Sequence, residues 1–340
     1  MSIMRSVLRM FSAITAVLAL AVTVGIAHAA PASAHEQTRR GAGPSAALSS
    51  GPNPLARGAA LPTHSAAAQA VSDARAQGRT VEADAFEVIA SRPTATWLGE
   101  WYSDAELVQV LQTETAAAAA QNKVATFVMY AIPARDCSAY SQGGLPVERY
   151  GAWARLIAQT LRGTASAVIV EPDALAMLGD CAGQGPRATL IGDAVRALTA
   201  AGVAAYVDAG NANWVPPETM AQRLRDAGVL EGRGFSTNVS NFSPTADEQR
   251  YAERLRALLG GTPRYVIDTS RNGRGWQGTW CNPTGVGLGT PPSVGTDGSG
   301  LDALLWIKRP GESDGTCNGG PAAGSWYEQA ALELVRNRAF

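Results

Sequence analysis

The chain has 340 residues, 28 of them basic and 29 acidic, for a formal net charge of −1. That balance argues against nucleic acid or an anionic membrane as the main partner, because both need a concentrated basic surface. The composition, 46 % hydrophobic and 17 % charged, is that of a globular protein.

The first segment, residues 1–29, reads as an export signal. Arg5 and Arg9 precede an apolar run from Phe11 to Ile26, and Ala27-His28-Ala29 fits a small-x-small cleavage site. A membrane anchor is the competing reading, but the run is at the short end for a bilayer span. Residues 30–52 are rich in Ala, Gly, Pro and Ser and read as a disordered leader. Residues 53–340 read as one catalytic domain.

From there strand-like apolar runs recur. They are Thr94–Leu98, Val124–Ile132, Ala165–Val170, Val203–Val207, Gly234–Val239, Tyr265–Ile267 and Leu301–Ile307. Helical patterns fill most gaps. Ser103-Asp104-Ala105-Glu106 is a capping box that opens one helix. Pro186 opens a second with Leu190, Ala194 and Leu198 on one face, closed by Gly202. A third spans about 247–259 and ends at Gly260-Gly261, and a last one lies near 326–338. Continuously apolar strands alternating with helices predict a parallel sheet. Seven such units predict an α/β barrel, with an open doubly wound sheet as the alternative. Residues 272–300 carry nine Gly and no helical pattern. A structureless stretch of that length in a compact domain is usually functional.

Four Cys follow the leader: Cys137, Cys181, Cys281 and Cys317. Without CxxC spacing they read as two disulfides, in one of three pairings. Histidine is confined to His28, His35 and His64. A Ser-His-Asp triad or a His-bound zinc would have to recruit the N-terminal tail. Acid–base chemistry therefore falls to Asp and Glu.

Carboxylates stand just past the strand ends, where a parallel barrel gathers its chemistry. Asp136, Asp173, Asp208, Asp268 and the pair Glu312 and Asp314 do so, while the fifth strand supplies Asn238 and Asn241. Crowded carboxylates repel, so at least one should keep its proton near neutral pH. A protonated carboxylic acid opposite an ionised one is what glycosidic cleavage needs. No DxDxDG-like spacing suggests calcium, so neither metal nor cofactor is expected. Trp97, Trp101, Tyr130, Trp214, Trp276 and Trp280 lie at the same ends and suit the apolar faces of sugar rings. Trp306, in mid-strand, suits the core equally well. Lys308 is one of only two lysines and stands beside Glu312 and Asp314, placed to hold a carboxylate ionised.

Several ordered motifs resemble glycoside hydrolase family 6, the inverting cellulases. They are Tyr130-Ala-Ile-Pro-Ala-Arg135-Asp136-Cys137, Val168-Ile-Val-Glu171-Pro172-Asp173, Tyr206-Val-Asp208-Ala-Gly210, Trp280-Cys281-Asn282 and Trp306-Ile-Lys308-Arg-Pro-Gly-Glu312-Ser-Asp314. The resemblance implies a distorted seven-stranded parallel β/α barrel. It implies that Asp173 is the general acid, that Asp136 assists it, and that Asp314 matches the residue proposed as base. Tyr130 matches a tyrosine beside the distorted sugar, and Asp208 an Asp at the substrate site. Trp97, Trp214 and Trp280 match sugar-stacking positions, and Lys308 and Glu312 match substrate-binding groups. Asn241 joins them as a candidate substrate contact. The disulfides it implies are 137–181 and 281–317. One position departs from the pattern: Asn211 stands where the family usually has His, so this contact can hydrogen-bond but cannot titrate. The short segment between Cys281 and Cys317 predicts an open cleft rather than a roofed tunnel.

The expected protein is a secreted, monomeric endo-β-1,4-glucanase acting on cellulose and cello-oligosaccharides. An exo-acting cellobiohydrolase, or a carbohydrate-binding protein without activity, are the alternatives.

Overall fold

The computed structural model describes residues 50–340. The expected export signal and all but the last three residues of the expected leader lie outside the described residues. Those last residues already touch the domain, since the Gly51 carbonyl accepts from Arg233 Nη1 at 2.9 Å.

Seven parallel strands appear where the apolar runs predict them. They are β1 (Thr96–Leu98), β2 (Ala125–Met129), β3 (Ser166–Val170), β4 (Ala204–Asp208), β5 (Gly234–Thr237), β6 (Arg264–Asp268) and β8 (Leu301–Leu305). A two-residue strand, β7 (Ser293–Val294), was not expected. It lies inside the Gly-rich stretch and pairs antiparallel with Leu304 and Ala303 of β8. The sheet order is β1-β2-β3-β4-β5-β6-β8-β7. The helices on its outer side include α3 (Asp104–Ala120), α4 (Val147–Leu161), α5 (Arg187–Ala200), α6 (Pro217–Asp226) and α7 (Thr245–Leu258). Two more, α1 (Ala66–Ala76) and α2 (Thr80–Ala90), pack with the last helix α8 (Glu328–Arg336) around Phe86, Trp306 and Leu334. Trp306 is therefore core. Among the described residues no helix is long and apolar enough to cross a membrane.

The barrel is distorted for a local reason. β7 takes up the edge of β8 at Ala303 and Leu304, so β1 cannot form a ladder there. The two ends of the curled sheet meet only at their tips. Ala95 N–H donates to the Trp306 carbonyl at 3.2 Å, and Trp97 Nε1 to the Ile307 carbonyl at 2.9 Å.

Alternation along each strand sorts the side chains. Phe127, Met129, Val168 and Val170 face the helices. Val128, Ala167, Ile169, Ala204, Tyr206 and Ala303 fill the interior. Small alanines suit that narrow space. At the N-terminal end of the strands a buried Arg233–Asp302 pair at 2.7 Å is joined by Tyr206 and covered by Asn53. The chemistry is left to the other end.

The helix signals act as read. Ser103 Oγ accepts Glu106 N–H while Glu106 Oε2 accepts Ser103 N–H. Leu190, Ala194 and Leu198 are the buried face of α5, and Gly202 beyond it takes φ +79°. Cys137–Cys181 and Cys281–Cys317 are the disulfides.

Candidate active site

The loops after β2 and β3 carry Asp136 and Asp173 on strained backbone. Ala134, Asp136, Cys137 and Ser138 all have φ between +45° and +73°, and Asp173 has φ +68°. Non-glycine residues hold such angles only when their surroundings impose them. Here the surroundings are visible. The Cys137–Cys181 bridge ties the two loops together. Arg187, buried in the first turn of α5, donates to the carbonyls of Pro133 and Ala134 in one loop and Ala174 in the other, at 2.9–3.0 Å. The buried carboxylate of Glu171 accepts the amides of Ala131 and Ile132 and the hydroxyl of Tyr150. Arg187→Met would orphan three carbonyls, and we expect it to cost on the order of 3 kcal/mol, read by urea denaturation.

Asp136 Oδ2 accepts both the amide and the hydroxyl of Ser141, at 2.9 and 2.7 Å. The Ser141 hydroxyl also lies 3.0 Å from the Tyr130 hydroxyl. Arg135 braces this loop. It pairs with Glu100 at 2.6 Å, donates to the Ser141 and Tyr130 carbonyls, and lies 4.6 Å above the Tyr130 ring.

Asp173 stands half-buried among acids. Its own N–H donates to Asp208 Oδ2 at 2.9 Å. Burial first, and then the charges of Asp208, Asp136 and Asp314, push its carboxyl well above the usual range. The neutral acid is the favoured form, as crowding requires. Asp208 is pushed up to about 7 by burial, against the hydrogen bonds it accepts from Asp173, Gly210 and Ser236.

Asp314 has the opposite setting. Burial opposes its charge, yet Arg271 and Lys308 outweigh burial and hold its carboxyl below the usual value. Arg271 Nη1 reaches both oxygens, at 2.9 and 2.8 Å. Lys308 Nζ lies 3.5 Å from Oδ1, and the Asn282 amide donates to Oδ2. Glu312 is pushed up by burial although Arg309 stands 3.1 Å away.

These groups line one cleft of about 1380 Å³. Asp136, Asp173, Asp314, Tyr130, Lys308 and Glu312 line it, with Trp97, Asn211, Trp214, Asn241 and Trp280. The one expected contact that does not is Asp208. It is buried, its carboxylate is taken up by the backbone amides of Asp173 and Gly210, and it lies behind the acid rather than in the cleft. Asn211 uses its Oδ1 to accept Asn213 N–H, which shapes the turn that presents Trp214. Trp97 packs edge-on against Tyr130 at 4.9 Å. Trp101, Trp214, Trp276 and Trp280 also line the cleft and remain 40–54 % exposed. Indoles that exposed belong to an open groove.

A family model, glycosyl hydrolases family 6, matches residues 57–338. This chain belongs to that family. Within the family it is 47 % identical over 252 residues to endoglucanase A of Cellulomonas fimi, across 74 % of this chain and 56 % of the relative. The chain thus spans little more than half the length of that relative. It is 40 % identical to endoglucanase 1 of Streptomyces sp. strain KSM-9, across 73 % of this chain and 70 % of the relative. The fold is similar to that of the endoglucanase Cel6 of Mycobacterium tuberculosis, solved with methyl-cellobiosyl-4-deoxy-4-thio-β-D-cellobioside. That match has a TM-score of 0.79 and 41 % identity, and covers 84 % of this chain and 99 % of the other. The distorted family 6 barrel expected from the motifs is the fold observed.

Sequence reading missed Arg271, Arg187 and Glu100. Nothing local marks an arginine as the partner of a carboxylate 43 residues away.

Proposed function

We propose that this chain is a secreted endo-β-1,4-glucanase that cleaves cellulose and cello-oligosaccharides by single displacement with inversion. The observation that carries the reading is a carboxylic acid, Asp173, kept neutral in the floor of an open cleft walled by half-exposed indoles. In this reading the indoles stack on pyranose faces, and Asp136, Asn241, Lys308 and Glu312 meet the hydroxyls. Asp173 donates its proton to the glycosidic oxygen as the bond breaks. Water attacks the anomeric carbon from the opposite face. Asp136 and the Ser141 hydroxyl hold one side of the reaction centre, and Tyr130 packs beside the sugar. Asp314 acts chiefly as a fixed negative charge, because Arg271 and Lys308 lower its appetite for a proton. The proton released by water then leaves through solvent held near it. The endo-acting relatives and the open groove support internal cleavage. The two disulfides support an oxidising destination.

Time-resolved proton NMR on cellopentaose tests both halves of the proposal. Inversion at a β-linkage releases α-configured ends first, and β-configured ends would refute single displacement. Viscosity of a soluble cellulose derivative should fall steeply before many reducing ends appear. A slow fall matched to reducing ends would mark an exo-acting enzyme. Binding without any new reducing ends would mark a carbohydrate-binding protein.

A further inference from the structure

Two indoles follow β6, four positions apart, and the fold sends them to different parts of the cleft. Trp280 lies 6.0 Å from the ring of Tyr140, in the loop that carries Asp136, and its neighbour Cys281 is bridged to Cys317 after β8. Trp276 instead lies 6.4 Å from Phe242, which is buried in the loop after β5. That loop also supplies Ser243, whose Oγ accepts from Asn213 Nδ2 at 3.1 Å, so the Trp214 turn after β4 and the seat of Trp276 are joined. In strand order Asp136 and Asp173, after β2 and β3, stand between Trp97 after β1 and Trp214 after β4. Trp276 therefore extends the row of indoles past Trp214, on the side away from Trp97.

The turn around this indole is built to present it. Gly275 and Gly278 bracket it with φ of +72° and +88°, angles that side-chain-bearing residues resist. Gln277 Nε2 donates to the carbonyls of Arg274 and Gly275, at 3.0 and 3.4 Å, and so closes the turn. Phe242 beneath is backed in turn by the Arg271 guanidinium, 4.5 Å from its ring. On this support 54 % of Trp276 stays exposed. We propose that Trp276, with Asn213 and Ser243 beside it, forms a separate sugar site that holds a glucosyl unit farther from the scissile bond than the one on Trp214. This inference rests on the glucan reading above and adds to it a preference for long chains. The indole takes the apolar face of the ring, and the amide and hydroxyl take its hydroxyl groups. The site touches no reacting atom. Its binding energy reaches the reaction only through a chain long enough to span from Asp173 to Trp276.

The test compares the whole chain with its Trp276→Ala and Trp276→Phe variants. Both keep the two glycines and Gln277, so the turn should still form. For each protein kcat/KM is measured on cellotetraose and on cellohexaose. Mass spectrometry on cellohexaose labelled isotopically at its reducing end then locates the bond that is cut. In Trp276→Ala the ratio of cellohexaose to cellotetraose kcat/KM should fall about tenfold, the change carried by covering half of one indole. The preferred bond in cellohexaose should shift, leaving less of the chain on the Trp214 side. Trp276→Phe keeps a flat apolar ring and should recover most of the ratio. An unchanged ratio overturns the site. So does an equal loss on both substrates, which would make Trp276 part of the frame of the reaction centre. Either result leaves the glucan reading standing. Failure of the unaltered chain to cut either substrate overturns the glucan reading and the site with it.

Discussion

Asp173→Asn is expected to lower turnover on soluble cellulose by roughly 10²–10⁴-fold, the usual worth of a positioned general acid. Cello-oligosaccharide affinity should survive in the proposed reading, because the indoles and polar side chains that line the cleft stay in place. Initial rates and calorimetry together check this, and comparable rates in the two proteins would remove Asp173 from the role. The pH dependence has a defined sign. The folded-state pKa of Asp173 is raised, so the active acid is present on the acid side and is lost as pH rises. Activity should fall on the alkaline limb. Stability follows the same sign. A raised carboxyl contributes stability below its unfolded pKa and loses that contribution as pH climbs through its folded pKa. Replacing it by a neutral amide should therefore raise the melting temperature most on the alkaline side. The site holds its acid against its own stability.

Arg271→Met is expected to destabilise the fold by about 3–5 kcal/mol at neutral pH, the cost of leaving a buried charge without its partner. Both side chains are buried, and the guanidinium reaches both oxygens of Asp314, so water replaces little of what is lost. Lys308 remains at 3.5 Å but makes no bidentate contact. Here the linkage runs the other way. Asp314 is depressed, so its pairing stabilises the fold above the unfolded pKa and is lost as pH falls through the folded one. Urea denaturation at several pH values should show the original and variant proteins converging in acid. A constant gap across pH would mean that Arg271 acts through packing on Phe242, 4.5 Å from its guanidinium, and its bond to the Ser240 carbonyl rather than through Asp314.

In the proposed reading the two settings also divide the labour in the cleft. One carboxyl is crowded by acids and keeps its proton, while another is flanked by two cations and gives its proton up. Environments that push two carboxyl groups apart in this way let one keep a proton to donate while the other stays a fixed negative charge. Crowding alone predicted that some acid would stay neutral. Which one it is depends first on burial and then on Asp208, which the chain places behind Asp173 rather than in the cleft.

Much of the fold was legible because its signals are local. Strand runs, the Ser103–Glu106 box and the Gly202 stop lie within a few residues of what they specify, and their backbone preferences act before any tertiary contact forms. The ends of parallel strands also share one face, so an acid following a strand declares its side of the barrel. Contacts across the chain carried no such mark. Arg271 reaching Asp314, Arg187 reaching Pro133 and Glu248 beneath Ala212 join residues 36–54 positions apart. The strand β7, which occupies the edge of β8, is too short to show a period. Local chemistry determined which groups this protein could use. Long-range packing decided which of them keep a proton, which keep a charge, and how far the barrel stays open.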